Sequence, residues 1–149
     1  MKKINKKIIL ITGIAGMIGS ILLEQLIKKN YIIIGIDNFR LGKLSNINKF
    51  LKNKNFYFFK INLSKKVINN KIIKLLDKKK IDYVWHLAAN SDIKSGINNP
   101  DIDFKNTFLT TYNVLKFISL YSSYKTKFIF SSSSAVFGEV KKNISENTQ

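Results

Sequence analysis

The stretch Lys7 to Thr12 (KIILIT) is apolar almost without break, and it runs into three glycines spaced three apart in Thr12-Gly13-Ile14-Ala15-Gly16-Met17-Ile18-Gly19. An apolar run of this length reads as a strand buried on both faces. Met17 to Asn30 then reads as a helix, with Ile18, Ile21, Leu22, Leu26 and Ile27 along one face. A buried strand turning straight into a helix admits few architectures, because the turn needs backbone that a Cβ would obstruct. Gly13 allows the tight turn, Gly16 lets backbone approach a diphosphate, and Gly19 lets the helix pack closely on its strand. The first helical residues, Met17 and Ile18, bring free N–H groups and a positive dipole end to that diphosphate. The spacing by itself also fits a plain strand-to-helix turn; its place in a first βαβ unit favours the nucleotide reading.

The rest of the chain repeats the alternation. Tyr31 to Ile36 is a second buried strand, and a helical stretch near Lys43 to Asn53 precedes a third, Phe56 to Ile61. Ser64 is a candidate cap for a helix reaching about Lys80, with Val67, Ile68, Ile72, Leu75 and Leu76 apolar. Ile81 to Leu87 is a fourth strand, Asn98-Asn99-Pro100 a turn, about Ile102 to Tyr121 a long helix, and Lys127 to Ser132 a fifth strand. Continuous apolar strands separated by helices predict an α/β fold, a doubly wound parallel sheet of about five strands covered on both faces. No internal repeat or Pro/Gly-rich linker divides residues 1–149, so a single domain is expected.

Asp37 follows the second strand, 18 residues beyond Gly19. A carboxylate there accepts both hydroxyls of an adenosine ribose and repels a 2′-phosphate, which favours NAD over NADP. Arg40 is the one contrary hint, read as a solvated loop arginine, and an ordinary strand-end turn residue is the alternative for Asp37.

Composition limits the other classes. The chain carries 26 basic and 9 acidic residues, a net charge of +17, yet 25 of the basic residues are lysine and Arg40 is the single arginine. Readers of base edges and phosphates lean on arginine. Lys, Asn and Ile make up 66 of the 149 residues, and all three have A/T-rich codons, so an A/T-biased genome yields this composition without selection for a basic surface. A solvated lysine surface with no nucleic-acid partner is therefore expected, with polyanion binding as the alternative. Without cysteine, and with His86 the one histidine, no disulfide framework, thiolate zinc site or His-rich metal site is expected. Ile8 to Leu23 is interrupted by glycines, is short for a membrane span and lacks a cleavage site, so a cytoplasmic protein with no membrane partner is expected.

Five signatures stand in order: Thr12 to Gly19, Asp37-Asn38, His86-Leu87-Ala88-Ala89, Asn99-Pro100 through Leu115, and Ser132-Ser133-Ser134-Ala135-Val136-Phe137-Gly138. Together they resemble the NAD-dependent epimerase/dehydratase branch of the extended short-chain dehydrogenase/reductase family. The resemblance covers essentially the whole chain as the N-terminal part of such an enzyme. It implies bound NAD and a nucleotide-sugar substrate, with hydride passing transiently between a sugar carbon and the nicotinamide. Gly13, Gly16, Met17, Ile18, Gly19, Asp37, Asn38, Asn62, Leu63, Leu87, Ala88 and Ala89 are the implied cofactor contacts, and Ser133 the implied catalytic serine, with Ser132 and Ser134 as register alternatives. A serine-rich strand end whose hydroxyls satisfy backbone groups remains the plain alternative.

Three departures stand out. Asn62-Leu63 replaces an acidic residue near the adenine, so Asn62 is kept as a weaker acceptor. The family's helix-four asparagine falls on Thr107 beside Asn106, and neither is assigned. Phe137 stands where tyrosine is common. The family's Tyr-x-x-x-Lys does not follow Ser133 within the 149 residues. Tyr121 and Lys125 match its spacing, but they sit at the wrong end of a βαβ helix and are read as rim residues. His86 is expected to pack and hydrogen-bond. The chain is thus expected to be an inactive piece of an enzyme that works as a homodimer, with its fifth strand an open edge inviting a partner. A non-catalytic dinucleotide-binding or polyanion-binding module is the competing reading.

Overall fold

The computed structural model describes residues 6–65, 70–77, 79–139 and 144–147. Strands β1 (Ile8–Thr12), β2 (Ile32–Asp37), β3 (Phe56–Lys60), β4 (Ile81–His86) and β5 (Ser122–Phe130) form one sheet in the order β3-β2-β1-β4-β5, every pair parallel. The doubly wound expectation therefore holds. From β1 the chain winds outward through β2 to β3, then crosses back to lay β4 on the other side of β1. That reversal leaves a crevice at the carboxyl ends of β1 and β4, where open α/β sheets bind ligands.

Alternate side chains of the strands feed two cores. On one face Ile9, Ile11 and Ile33 pack with Leu23 of helix α1 (Met17–Ile27), with Ile14 and with Ile47. On the other, Ile8, Leu10, Ile34, Ile36 and Val84 pack with Ile72 and Leu76 of α2 (Asn70–Leu76) and with Val114 and Phe117 of α5 (Thr110–Tyr121). Each such side chain contributes about 1.5–3 kcal/mol on leaving water. Among the described residues, no helix is long and apolar enough to cross a membrane.

Several elements differ from the sequence reading. Helix α1 turns Gly19 and Leu23 to the sheet, with Leu22, Leu26 and Ile27 flanking, while Ile18 and Ile21 stay exposed. The Lys43 to Asn53 segment is two short 3₁₀ turns, Leu44–Asn46 and Asn48–Phe50. Both Lys43 N–H and Asn46 Nδ2 donate to the Ala15 carbonyl, at 3.0 and 2.8 Å, which ties the segment to the glycine turn instead of letting a helix run free. Ser64 N–H and hydroxyl both donate to Asn62 Oδ1, and the described part of α2 is Asn70–Leu76. Val67 and Ile68 lie outside the described residues.

The long helix begins earlier and is interrupted. A separate helix α3 (Ile93–Asn98) precedes α4 (Pro100–Asp103), which continues through a π-helical segment (Phe104–Leu109) into α5. Asn99 caps α4, its side chain accepting from Asp101 N–H at 3.1 Å, and Pro100 takes the first helical position, where no N–H is needed. Strand β5 starts at Ser122, five residues earlier than predicted, and ends at Phe130, before Ser131 and Ser132.

Candidate functional site

A crevice of about 580 Å³ opens at the carboxyl edge of β1, β2 and β4. Its floor is the glycine turn. Gly13 adopts φ +71°, and a Cβ built there would sit 2.9 Å from Ala88 N and Leu87 C, so only glycine fits between the β1 and β4 ends. Gly16 forms the N-cap of α1 and lines the crevice; no side chain caps the helix. The first-turn N–H groups of α1 therefore keep their donor capacity for a ligand. Gly19 packs instead of lining the crevice: a Cβ there would lie 2.8 Å from Ile14 Cα and closer still to the Gly13 carbonyl oxygen.

At the β2 end, the buried Asp37 carboxylate is held at both oxygens. Oδ2 accepts from Ala15 N–H at 2.9 Å and Oδ1 from Phe39 N–H at 2.8 Å. Each oxygen retains a second lone pair, so the carboxylate is oriented yet still able to accept from two hydroxyls. The following loop is folded by its own side chains: Asn38 Oδ1 accepts from Arg40 N–H at 2.9 Å, and Phe39 adopts φ 60°.

The β4 end is organised by His86, which is buried and packs beside both Phe128 and Phe130, with ring centroids 5.9 and 6.0 Å away. Burial lowers its pKa to about 4, so it is neutral at pH 7. The tautomer follows from the hydrogen bonds. Thr12 Oγ1 accepts from Leu87 and Ala88 N–H, both at 3.2 Å, which uses its lone pairs and leaves its O–H to donate to His86 Nδ1 at 2.7 Å. His86 Nε2–H then donates to Thr111 Oγ1 at 2.9 Å, and Thr111 donates to the Thr107 carbonyl at 2.8 Å. This one-way relay fixes β1, β4 and the helix behind them, and it holds Leu87 and Ala88 against the crevice.

Of the residues singled out in the sequence, Gly13, Gly16, Ile18, Asp37, Asn38, Leu63, Leu87, Ala88, Ala89 and Ser133 line this one crevice. Ser131 and Ser132 line it too. Met17 instead borders a shallower hollow beside it with Ser20 and Lys43. Asn62 braces its own turn, with Oδ1 accepting twice from Ser64. Tyr121 ends α5 and packs on the core, whereas Lys125 lies in β5, so the two share no helix face.

Several site residues carried no signal strong enough to find them. Thr107 and Asn106 both line the crevice, with Thr107 Oγ1 accepting from Asn90 N–H at 3.0 Å. Asn90 joins several parts of the mouth, its Nδ2 donating to Asp103 Oδ1 at 2.8 Å and its Oδ1 accepting from Arg40 Nη1 at 2.8 Å. Arg40 is exposed, as expected of a loop arginine, and it also reaches across the mouth to Asn90. Thr12 and His86 had one usable sign: both end strands, and the parallel register sets them side by side.

Comparison with known proteins gives a consistent result. The family model described as GDP-mannose 4,6 dehydratase matches residues 10–149. An uncharacterized UDP-glucose epimerase of Bacillus subtilis is 36% identical over 147 residues, which span 94% of this chain and 44% of that protein. The UDP-Glc/GlcNAc 4-epimerase of Campylobacter jejuni superposes with a TM-score of 0.80 at 30% identity, covering 96% of this chain and 42% of the other. A Thermus thermophilus UDP-glucose 4-epimerase, solved in complex with NAD, has a TM-score of 0.76 at 27% identity, with 95% and 43% covered. The chain spans about two fifths of the length of these relatives.

Proposed function

Because this chain belongs to the NAD-dependent epimerase/dehydratase family, we propose that its crevice binds NAD and that it is the dinucleotide-binding portion of a sugar-nucleotide epimerase or dehydratase. One observation carries the cofactor assignment: the Asp37 carboxylate is fixed by two backbone N–H groups at the β2 end of the crevice that Gly13 and Gly16 keep open. That carboxylate accepts the two ribose hydroxyls of the adenosine and repels a 2′-phosphate. The α1 N-terminus donates to the pyrophosphate, and the Leu87 to Ala89 backbone lines the nicotinamide side. Bound in this way, NAD supplies the acceptor and donor of a hydride for a sugar carbon. Ser133, at the β5 end, hydrogen-bonds the reacting sugar hydroxyl and holds it toward the ring.

The nucleotide-sugar class follows from the relatives, named for UDP-glucose, UDP-GlcNAc and related sugars. No Tyr-x-x-x-Lys follows Ser133 in the 149 residues, and a tyrosine base is what deprotonates the sugar hydroxyl in the family mechanism. The 149-residue polypeptide on its own therefore binds cofactor without turning over a nucleotide sugar. In the complete enzyme, a homodimer forms through the helix that carries Phe104, Phe108, Tyr112 and Leu115, which are 52%, 62%, 52% and 47% exposed.

Calorimetric titration with NAD and NADP tests the cofactor reading. The chain takes up NAD in preference to NADP, and Asp37→Asn weakens NAD by about tenfold or more, the size of a lost charge-assisted hydrogen bond. Equal or tighter binding of NADP by the unaltered chain overturns the assignment. Multiple turnovers of a nucleotide sugar by the pure polypeptide overturn the inactivity.

A further inference from the structure

The hydrogen bond from Arg40 Nη1 to Asn90 Oδ1, 2.8 Å long, joins loops on opposite sides of the crevice. Arg40 follows β2 and Asn90 follows β4, and β1 lies between those strands in the sheet. A bond between the two loops therefore crosses above the carboxyl end of β1, where Gly13 and Gly16 form the floor and α1 begins. Both partners line the crevice. The guanidinium is held on the solvent side of the place where the helix N-terminus offers its donors.

Resting on the NAD reading above, we propose that Arg40 is a pyrophosphate-binding residue, a strap that closes on the dinucleotide's central phosphates from the side opposite α1. The chemistry suits it. Arginine carries five N–H donors and a permanent charge, so one bond to Asn90 leaves donors for a phosphate oxygen. The loop is preorganised for the task. Asp37 and Asn38 side chains accept from Phe39 and Arg40 N–H, and Lys43 N–H donates to the Ala15 carbonyl at 3.0 Å, fixing the loop at both ends of the arginine. Asn90 is itself held by Asp103 and by the Asp92 carbonyl, at 2.8 and 2.9 Å, so it presents a steady acceptor that keeps the long side chain in place. Less rotamer freedom is then lost on binding.

Competition calorimetry with adenosine, ADP, NAD and NADP on the 149-residue chain, with Arg40→Gln and Arg40→Lys, tests the assignment. In R40Q, ADP and NAD weaken by about tenfold or more while adenosine changes by less than about twofold, as loss of one charge-assisted phosphate bond requires. R40K recovers part of the loss, because a lysine keeps the charge and cannot reach both Asn90 and a phosphate with a planar fork. Thermal melting stays unchanged, since Arg40 is exposed. Unchanged ADP affinity in R40Q, equal losses for adenosine and ADP, or a loss confined to NADP each overturns the strap. If the unaltered chain binds neither ADP nor NAD, the NAD reading and the strap both fall; if it binds both and R40Q behaves alike, only the strap does.

Discussion

Burial of His86 beside Phe128 and Phe130 removes the water that would stabilise an imidazolium, and its two ring nitrogens are already assigned to Thr12 and Thr111. Its pKa is lowered from 6.5 to about 4. Between those values the unfolded chain holds a proton on this ring that the native chain does not. Stability is therefore complete above about pH 6.5 and is lost as the pH falls toward 4, by up to about 3 kcal/mol for this one group. Urea unfolding of the chain and of His86→Gln across that range measures it. The difference between them shrinks toward pH 4, because the shared carboxylates titrate alike in both and cancel. A constant difference at every pH rules out the buried neutral ring. Gly13 makes a second demand on a single residue. With φ +71° and Ala88 N only 2.9 Å from where an alanine methyl would sit, Gly13→Ala adds backbone strain and a steric clash. A loss of about 1–3 kcal/mol on chemical denaturation is expected.

Helix α1 acts as an element through one face. Gly19 brings it down onto the Gly13 carbonyl and Ile14, and Leu23 then seats in the core beside Ile9, Ile11 and Ile33. The same close approach sets where the helix N-terminus points, so packing and ligand geometry are coupled. Gly19→Val lifts the helix and moves its first turn off the crevice floor. About 1–3 kcal/mol of stability is lost, and NAD binding weakens more than Leu23→Ala causes, although the latter is the costlier of the two in the core at about 2–5 kcal/mol. If both variants weaken NAD in simple proportion to stability, the helix is acting only as a wall. The π-helical segment does related work on the other side. Thr110 Oγ1 donates to the Lys105 carbonyl at 3.1 Å, and the widened turn sets Thr107, Thr110 and Thr111 toward the crevice.

At the scale of the whole molecule, two surfaces among the described residues are open to partners. The helical face bearing Phe104, Phe108, Tyr112 and Leu115 is aromatic and exposed, with the first two rings stacked 5.5 Å apart. The outer edge of β5 is open as well: Lys127 to Phe130 pair with β4 on one side only, and the irregular stretch before them leaves Tyr124 94% exposed. An apolar face and an open strand edge favour association by different chemistry. Sedimentation at micromolar concentration separates them. Phe108→Glu yields a monomer if the helix face mediates pairing, and leaves the assembly intact if the β5 edge does.

What the amino-acid order determined unaided was whatever is encoded in neighbouring residues. The apolar runs predicted parallel strands, Gly13 and Gly19 marked positions in the turn where no Cβ fits, and Asp37 stood where a second strand must end. Those demands are local, because they concern a backbone conformation or a strand's two faces. Segment boundaries were less legible where a distant carbonyl competed, as Ala15 does for Lys43 and Asn46. Only the tertiary structure chose the partners. Thr12 meets His86 across 74 positions and Arg40 meets Asn90 across 50, while Asn62 is claimed by Ser64 two residues on. Each of these polar groups had several candidate mates in the chain. Which one it reached depended on strand order and register, and those are set when the two cores close on the sheet.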